Sequence, residues 1–237
     1  MALSLKKGRD LSKYDLIACI DISGSTSGTD TASGQSRLDD SRKLTRELVR
    51  EMDQIDTDGV TVHFYDDQHE VHDNTTFAKG EPLLKAVKPR GSTDTAGAIK
   101  RHIDKYLDKR LGKAAVPGTK GGFFSKGTPG TPAVPADPST KPIIIVVITD
   151  GEPNDKEAVV KVIVDATVRL EAAGLKRDAL GISFIQIGRN KPATDWLNEL
   201  NNNLKPKGAK MDIVNCLTIE DCDGLTTTQI LEKALDD

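Results

Sequence analysis

The chain has 237 residues, a formal net charge of −3, and a composition that is 37% hydrophobic but only 4% aromatic. This length and apolar content suffice for one hydrophobic core, which must be built from Val, Ile, Leu and Ala because aromatic side chains are scarce. The near balance of acidic and basic residues excludes a strongly basic surface for nucleic acid or anionic lipid.

Short apolar runs and amphipathic segments alternate along the first half of the chain. The apolar run at 14–21 predicts a buried strand, and apolar residues at helical spacing predict a helix at 39–55. A β-rich run at 60–66 is followed by a segment, 70–77, that we expect to return as its antiparallel hairpin partner at the sheet edge. A short helix is predicted at 83–87, ended by Pro89.

The second half continues the same alternation. Helices are predicted at 95–111, 155–173, 195–204 and 228–235, and strands at 143–149, 180–187 and 212–216. Asn154 is the expected N-cap of the helix at 155–173, and Gly174 is its expected stop. The alternation predicts an α/β fold with a doubly wound, mostly parallel central sheet and one antiparallel edge strand. We expect one domain over 1–237, with its core at 14–237.

The segment 112–142 interrupts this pattern, because it is rich in Gly, Pro, Thr and Ala. Such a composition predicts an extended insertion or a mobile loop rather than a regular element. Phe123 and Phe124 are its only strongly apolar residues. Their rings are expected to pack back onto the domain, and the alternative is that they anchor a partner.

The N-terminus and the apolar runs indicate in which cellular compartment the protein is expected. The N-terminus carries Lys6, Lys7 and Arg9 without an apolar stretch, which is unlike a signal peptide, and the longest apolar run, 143–148, is too short to span a bilayer. We therefore expect a cytoplasmic protein with no membrane contact. Cys216 and Cys222 could pair, but free thiols are expected in a reducing cytosol.

Oxygen-bearing side chains cluster where predicted strands end. Asp21, Ser23 and Ser25 follow the first strand, Asp150 ends the most apolar strand, and Thr93 lies on the loop before a helix. In an open α/β sheet, ligands bind beyond the carboxyl ends of the strands. Carboxylate and hydroxyl oxygens suit Mg²⁺, Mn²⁺ or Ca²⁺, so we predict a site for one of these cations.

At this point the chain resembles the von Willebrand factor A family, found in integrin inserted domains and in many intracellular proteins, here of the soluble bacterial or phage type. That family's metal ion-dependent adhesion site is Asp-x-Ser-x-Ser, then a Thr, then an Asp, which match Asp21, Ser23, Ser25, Thr93 and Asp150. The resemblance runs from about Tyr14 to the last helix, interrupted by 112–142.

The resemblance implies a role for each of these residues. Ser23 and Ser25 would bind the metal directly, and Thr93 directly in a high-affinity state or through water otherwise. Asp21 and Asp150 would act largely through bound waters, with Asp21 also orienting the serine hydroxyls. One coordination position would be left for an Asp or Glu of a protein partner.

Three interpretations stay open beside this one. Asp21 and Asp150 could merely cap adjacent helices, where acids are favoured. A zinc site could involve the residues His63, His69, His72, Asp66 and Asp67, although an exposed hairpin would show the same residues. The polar loop 26–36 could set ligand selectivity at the rim of the site, or could be a flexible connection.

Motifs of common enzymes are lacking. No Walker A sequence or G-x-G-x-x-G is present, and the segment 24–28 has Thr26 where a nucleophile elbow has Ser. We therefore predict a non-enzymatic, metal-dependent protein-binding module with no catalytic residues. The alternatives are a structural subunit of a larger assembly and a metal-dependent hydrolase or phosphotransferase. Soluble bacterial members of the family work beside AAA-type ATPases or in stress and tellurite resistance, which implies such an assembly.

Overall fold

The computed structural model describes residues 9–117 and 130–236. Six strands form a sheet in the order β3-β2-β1-β4-β5-β6. They are β1 (Asp15–Asp21), β2 (Val60–Tyr65), β3 (His69–Thr75), β4 (Ile143–Thr149), β5 (Leu180–Gln186) and β6 (Val214–Thr218). Neighbouring strands are parallel except for β2 and β3, which confirms the predicted mostly parallel sheet with an antiparallel edge strand.

Helices cover both faces of the sheet. They are α1 (Arg37–Ile55), α2 (Phe77–Ala86), α3 (Thr95–Leu111), α4 (Lys156–Ala172), α5 (Lys191–Asn202) and α6 (Thr227–Lys233). Buried residues of α3, α4 and α5 share one apolar cluster, whereas those of α1, α2 and α6 belong to two clusters formed with the alternate residues of the strands. The fold is therefore doubly wound, as predicted.

The central strand β4 shows why its sequence is apolar throughout. All of its residues are buried. Ile145 and Val147 belong to the cluster on the α3 side, and Ile144, Val146 and Ile148 to the cluster on the opposite side. A strand covered on both faces has no polar side, so it cannot show alternation.

Two helices begin at least four residues earlier than the sequence predicts. Helix α2 starts at Phe77 and contains Pro82. The buried face of its first half contains Gly80, which packs closely against Thr75: an added Cβ would lie 3.3 Å from Thr75 Cγ2. Because glycine has no apolar side chain, the hydrophobic pattern of the sequence does not reveal this part of the helix. Helix α5 starts at Lys191, because the Asn190 side chain accepts a hydrogen bond from Ala193 N–H and caps the helix.

The two ends of the predicted insertion 112–142 are structured. Lys113 pairs with Val134, and Val116 pairs with Thr131, in two isolated antiparallel bridges. Further along, Arg110 Nη1 donates to the carbonyl of Thr140, which is buried. These are isolated bridges and not a regular element, so the expectation of an extended insertion or a mobile loop at 112–142 stays a prediction. Phe123 and Phe124 lie outside the described residues.

Two further expectations concern cysteines and membranes. Cys19, Cys216 and Cys222 are all free, and Cys19 and Cys222 are buried. Within 9–117 and 130–236, no helix combines the length and the apolar character needed to cross a membrane.

Candidate functional site

The carboxyl ends of β1 and β4 bring four of the five predicted site residues into one hydrogen-bonded chain. Asp21 ends β1, and a 3₁₀ turn, Gly24–Ser27, follows it. Asp21 Oδ1 accepts from Ser23 N–H at 2.8 Å, and the Ser23 and Ser25 hydroxyls are 3.1 Å apart. Ser25 Oγ donates to Asp150 Oδ1 at 3.0 Å, across the two central strands. We call these residues, with Thr93, the oxygen cluster.

Asp21 is held on both carboxylate oxygens. Its Oδ2 accepts from the Thr149 hydroxyl at 2.9 Å, and the residue is 1% exposed. Burial, followed by the charge of Asp150, raises the pKa of Asp21 to about 7. The carboxyl groups of Asp21 and Asp150 and the side chain of Ser23 are thus buried close together, and Ser25, which is exposed, joins them at the surface. This donor set fits a hard divalent cation, whose charge would offset the repulsion between the carboxylates.

Thr93 is tied to the same place through its backbone. Thr93 N–H donates to Asn154 Oδ1 at 3.2 Å, and Asn154 N–H donates to the Thr93 carbonyl at 3.0 Å. Asn154 Nδ2 also donates to Ser92 Oγ at 2.9 Å. Gly24 N–H donates to the Gly91 carbonyl at 3.2 Å, which joins the Thr93 loop to the turn after β1. Three segments therefore meet at this edge of the sheet.

This use of Asn154 corrects the prediction that it caps the following helix. The N-cap of α4 is Asp155, whose side chain accepts from Ala158 N–H. The Asn154 side chain instead connects the loop after β4 to the Thr93 loop. Sequence reasoning missed this role because Asn and Asp are both good N-caps, and nothing local distinguishes which of two neighbours caps.

The acids of the oxygen cluster do not cap helices. In the described part of the chain, the N-cap positions of the six α-helices hold Ser36, Thr76, Asp94, Asp155, Asn190 and Thr226. The interpretation of Asp21 and Asp150 as caps is therefore wrong.

Asp66 and Asp67 shape the Thr93 loop. Asp66 is buried and accepts from Arg90 Nε at 2.6 Å, and its carbonyl accepts from Asp94 N–H at 3.1 Å. Gly91 has φ 63°, and a Cβ there would lie 2.0 Å from Asp67 Oδ1. A side chain at position 91 would thus be strained in the backbone and would also collide with Asp67. Asp66 therefore holds the loop and Asp67 lies against Gly91, whereas the zinc alternative supposed that both join the histidines.

Arg37 is a charged residue beside the oxygen cluster that sequence reasoning missed. Its Nη1 donates to Asp150 Oδ2 at 2.8 Å, and its Nη2 donates to Asp30 Oδ2 at 2.8 Å. The Arg37 side chain is only 12% exposed. A Cβ at Gly28 or at Gly188 would lie 3.2 or 3.0 Å from Arg37 Nε, so both glycines leave room for the guanidinium group. A fixed positive charge therefore borders the oxygen cluster.

The polar loop 26–36 supplies Asp30, and so it positions Arg37 rather than serving only as a connection. Its proposed part in ligand selectivity stays a prediction.

The histidines of the alternative zinc site are divided between two environments. His72 pairs with Glu70 on the exposed side of β3. His63 and His69 instead belong to a partly buried chain of hydrogen bonds that includes His102. Cys19 Sγ lies 3.7 Å from His63 Nδ1 within that group.

Comparisons with known proteins agree with this architecture. A family model, described as von Willebrand factor type A domain, matches residues 16–152, a stretch that contains the whole oxygen cluster. The manganese-loaded TRAP protein of Plasmodium vivax is similar, with TM-score 0.53 and 14% identity over 90% of this chain and 71% of that one. A variant of the PilB minor pilin from Streptococcus sanguinis has TM-score 0.52 and 12% identity, over 98% and 61% of the two chains. No curated protein matches. At these identities, the two structures bear on the fold alone.

Proposed function

Because the chain belongs to the von Willebrand factor type A domain family, we propose that it is a metal-dependent protein-binding module of the soluble bacterial or phage type. The hydroxyls of Ser23, Ser25 and Thr93 would hold a divalent cation directly. Asp21 and Asp150 would act mainly through water molecules and by orienting the serine hydroxyls. The proposal treats 1–237 as one cytoplasmic domain.

The observation that carries this proposal is the hydrogen-bonded chain from Asp21 through Ser23 and Ser25 to Asp150. Side chains separated by more than a hundred positions supply only oxygen donors to one small volume, and oxygen donors select Mg²⁺, Mn²⁺ or Ca²⁺ over softer ions. The TRAP structure was solved with manganese, which makes Mn²⁺ our first probe.

The same donor set favours a carboxylate as the group to be bound. Neutral hydroxyls as the direct ligands would leave much of the charge of the cation uncompensated, so an incoming Asp or Glu gains a strong electrostatic contact. Metal should therefore tighten the partner, and the partner should tighten the metal by the same factor.

We propose no catalytic step for this site. Asp21 is followed by Ile22 and then Ser23, and no second acid stands beside it as a base in the sequence. A structural subunit that keeps its ion only for stability is the alternative, and it differs in one measurable respect. Its association with a partner would not respond to removal of the metal.

The experiment is a binding measurement with and without metal. The chain is immobilised, partners are captured from the native host in Mg²⁺, and the affinity of a purified partner is measured in Mg²⁺ and in chelator. We expect the partner to bind in Mg²⁺ but not in chelator. Binding should be lost in Asp21→Ala, and also when one particular Asp or Glu of the partner is changed to Ala. An affinity that responds to neither the metal nor any carboxylate of the partner would exclude this function.

A further inference from the structure

A second group of potential metal ligands lies under α3, apart from the oxygen cluster. Cys19 on β1 and His63 on β2 are paired neighbours in the sheet, and His102 of α3 packs over them. The Sγ atom of Cys19 is 3.7 Å from His63 Nδ1, which is 2.8 Å from His102 Nε2. Cys19 and His63 are 0% exposed and His102 is 3% exposed. One thiol and two imidazole nitrogens therefore face one another inside the protein.

A chain of hydrogen bonds fixes which nitrogen of His63 carries its proton. His69 Nε2 lies 3.1 Å from Asp94 Oδ2, and an ionised carboxylate can only accept, so His69 donates there. In neutral His69 the other nitrogen, Nδ1, must then accept, and it lies 3.0 Å from His63 Nε2. His63 thus donates from Nε2, which leaves the lone pair of Nδ1 directed at Cys19 and His102.

This arrangement is the one that metal-binding histidines use. A ligating imidazole usually donates its second N–H to an outer partner that fixes its orientation, and here His69 and Asp94 form that outer chain. We propose that Cys19, His63 and His102 form a zinc site. The zinc proposal does not rest on the proposed function, because the two sites share no ligand.

The distances suit zinc. With Zn–S of about 2.3 Å and Zn–N of about 2.0–2.1 Å, two donors of a tetrahedral site lie roughly 3.6 Å apart for S and N and roughly 3.3 Å apart for two N atoms. The Cys19 to His63 separation already agrees at 3.7 Å. The two histidine nitrogens, at 2.8 Å, would need to separate by about half an ångström. Three protein donors leave the fourth position to a water molecule.

The environment keeps the two imidazole donors ready for a cation. Burial lowers the pKa of His63 to about 3 and that of His102 to about 4, so both rings stay neutral. Cys19 would bind the metal as a thiolate, and its proton would be released to solvent. His102, which donates from Nε2 to His63 in the metal-free state, would keep its proton on Nδ1 instead.

A surface pocket borders His102, which lines it with Val71, Asp73, Arg101 and Lys105. Lys105 is paired with Asp73 at 2.8 Å, which compensates its charge. We expect a hydrated ion to approach the ring of His102 from this pocket.

The test uses the full chain with Zn²⁺ and with Co²⁺ as a spectroscopic probe. We expect one Zn²⁺ per chain and, with Co²⁺, the charge-transfer absorption of a thiolate bound to the metal. The absorption should persist in the double variant Cys216→Ser with Cys222→Ser, and should vanish in Cys19→Ser. His102→Gln should weaken Zn²⁺ by about tenfold or more, whereas the matched control His72→Gln should leave it unchanged.

Two further measurements separate the possible outcomes. Ser25→Ala combined with Asp150→Ala should keep the zinc site, so a failure of the oxygen cluster would not be mistaken for a failure here. X-ray absorption of the zinc-loaded natural sequence covers the case in which Cys19→Ser does not fold, and one sulfur and two imidazole nitrogens are expected. A zinc shell of oxygens alone, or a cobalt thiolate signal that survives Cys19→Ser, would overturn the proposal.

Discussion

Arg37 and Asp150 form a partly buried ion pair, with 2.8 Å between Nη1 and Oδ2, although 113 positions separate them in the chain. The pair places a permanent positive charge against one of the two carboxylates in the oxygen cluster. A divalent cation bound there would share Asp150 with the guanidinium group. Arg37 is therefore expected to limit the affinity for the ion.

Arg37→Ala should tighten Mn²⁺ binding several-fold, because a like charge near the ion is removed. The metal-free protein should become less stable by about 2–4 kcal/mol, since Asp150 loses its charged partner in a buried place. Calorimetry and urea unfolding measure the two effects. Arg46→Ala is the control: Arg46 lies on α1, as Arg37 does, and its ion pair with Glu81 is at the surface. This change should alter stability by less than about 1 kcal/mol. Weaker Mn²⁺ binding in Arg37→Ala would show that Arg37 orients Asp150 instead of competing with the metal.

Ser25→Ala combined with Asp150→Ala should abolish Mg²⁺ and Mn²⁺ binding in calorimetry. The change removes one hydroxyl ligand and the acid to which it donates. Ser27→Ala is the matched control, because Ser27 lies in the same turn but is exposed and donates to the Gly24 carbonyl. Divalent binding that persists in the double variant would show that the ion is held elsewhere.

Asn154→Ala should weaken Mn²⁺ by roughly 10–100-fold while the fold is kept, because outer partners of metal ligands have effects of this size. The variant removes the side-chain bonds to Thr93 N–H and to Ser92. Asn202→Ala is a suitable control, since Asn202 bonds only within its own helix. Equal Mn²⁺ affinities in the two variants would mean that the position of Thr93 does not matter.

The two buried histidines should make the metal-free protein less stable as the pH is lowered, whereas the raised pKa of Asp21 acts in the opposite direction. The pKa values of His63 and His102 are lowered in the folded state to about 3 and about 4, against about 6.5 in the unfolded chain. Between these values the two histidines bind protons in the unfolded chain but not in the folded chain, so their contribution to the free energy of unfolding decreases from about pH 6.5 downward.

The check is urea unfolding in chelator at several pH values. His102→Gln should show a shallower loss of stability with falling pH, and His72→Gln should follow the natural sequence. Parallel profiles for all three proteins would rule out the buried rings as the source of the pH dependence.

Replacing 117–130 with a short Gly/Ser linker should keep the cooperative melt. The flanking pairs, Val116 with Thr131 and Lys113 with Val134, already hold the two ends together, and loop entropy changes slowly with length. Removing all of 112–142 should be more damaging, because the buried Thr140 and its bond from Arg110 would be lost. A melt lowered by many degrees in the shorter replacement would indicate that Phe123 and Phe124 contribute to the core.

The sequence predicts those features that local pattern encodes. The apolar run of β4 and the amphipathic helices predict the doubly wound sheet, and Asp21, Ser23 and Ser25 stand close enough together to be recognised as a motif. The bonds of Asn154 to the Thr93 loop and of Arg37 to Asp150 join positions 61 and 113 apart, which no periodicity reveals. The buried histidine group escaped prediction for the same reason, since His102 comes from a helix that reads as ordinary and amphipathic.

Asp94 accepts two hydrogen bonds that join different parts of the structure. One carboxylate oxygen accepts from Gly97 N–H at the start of α3, and the other accepts from His69, next to the loop that bears Thr93. Because Asp94 directly follows Thr93 in the chain, we expect a movement of Thr93 toward a bound cation to shift Asp94, and with it the hydrogen bonds that orient His63. A bound zinc ion would hold His69 and Asp94 more firmly in place, whereas an empty zinc site would leave Asp94 freer to move. Zinc binding would then change how readily Thr93 moves toward a cation in the oxygen cluster, and the two metal sites would be coupled.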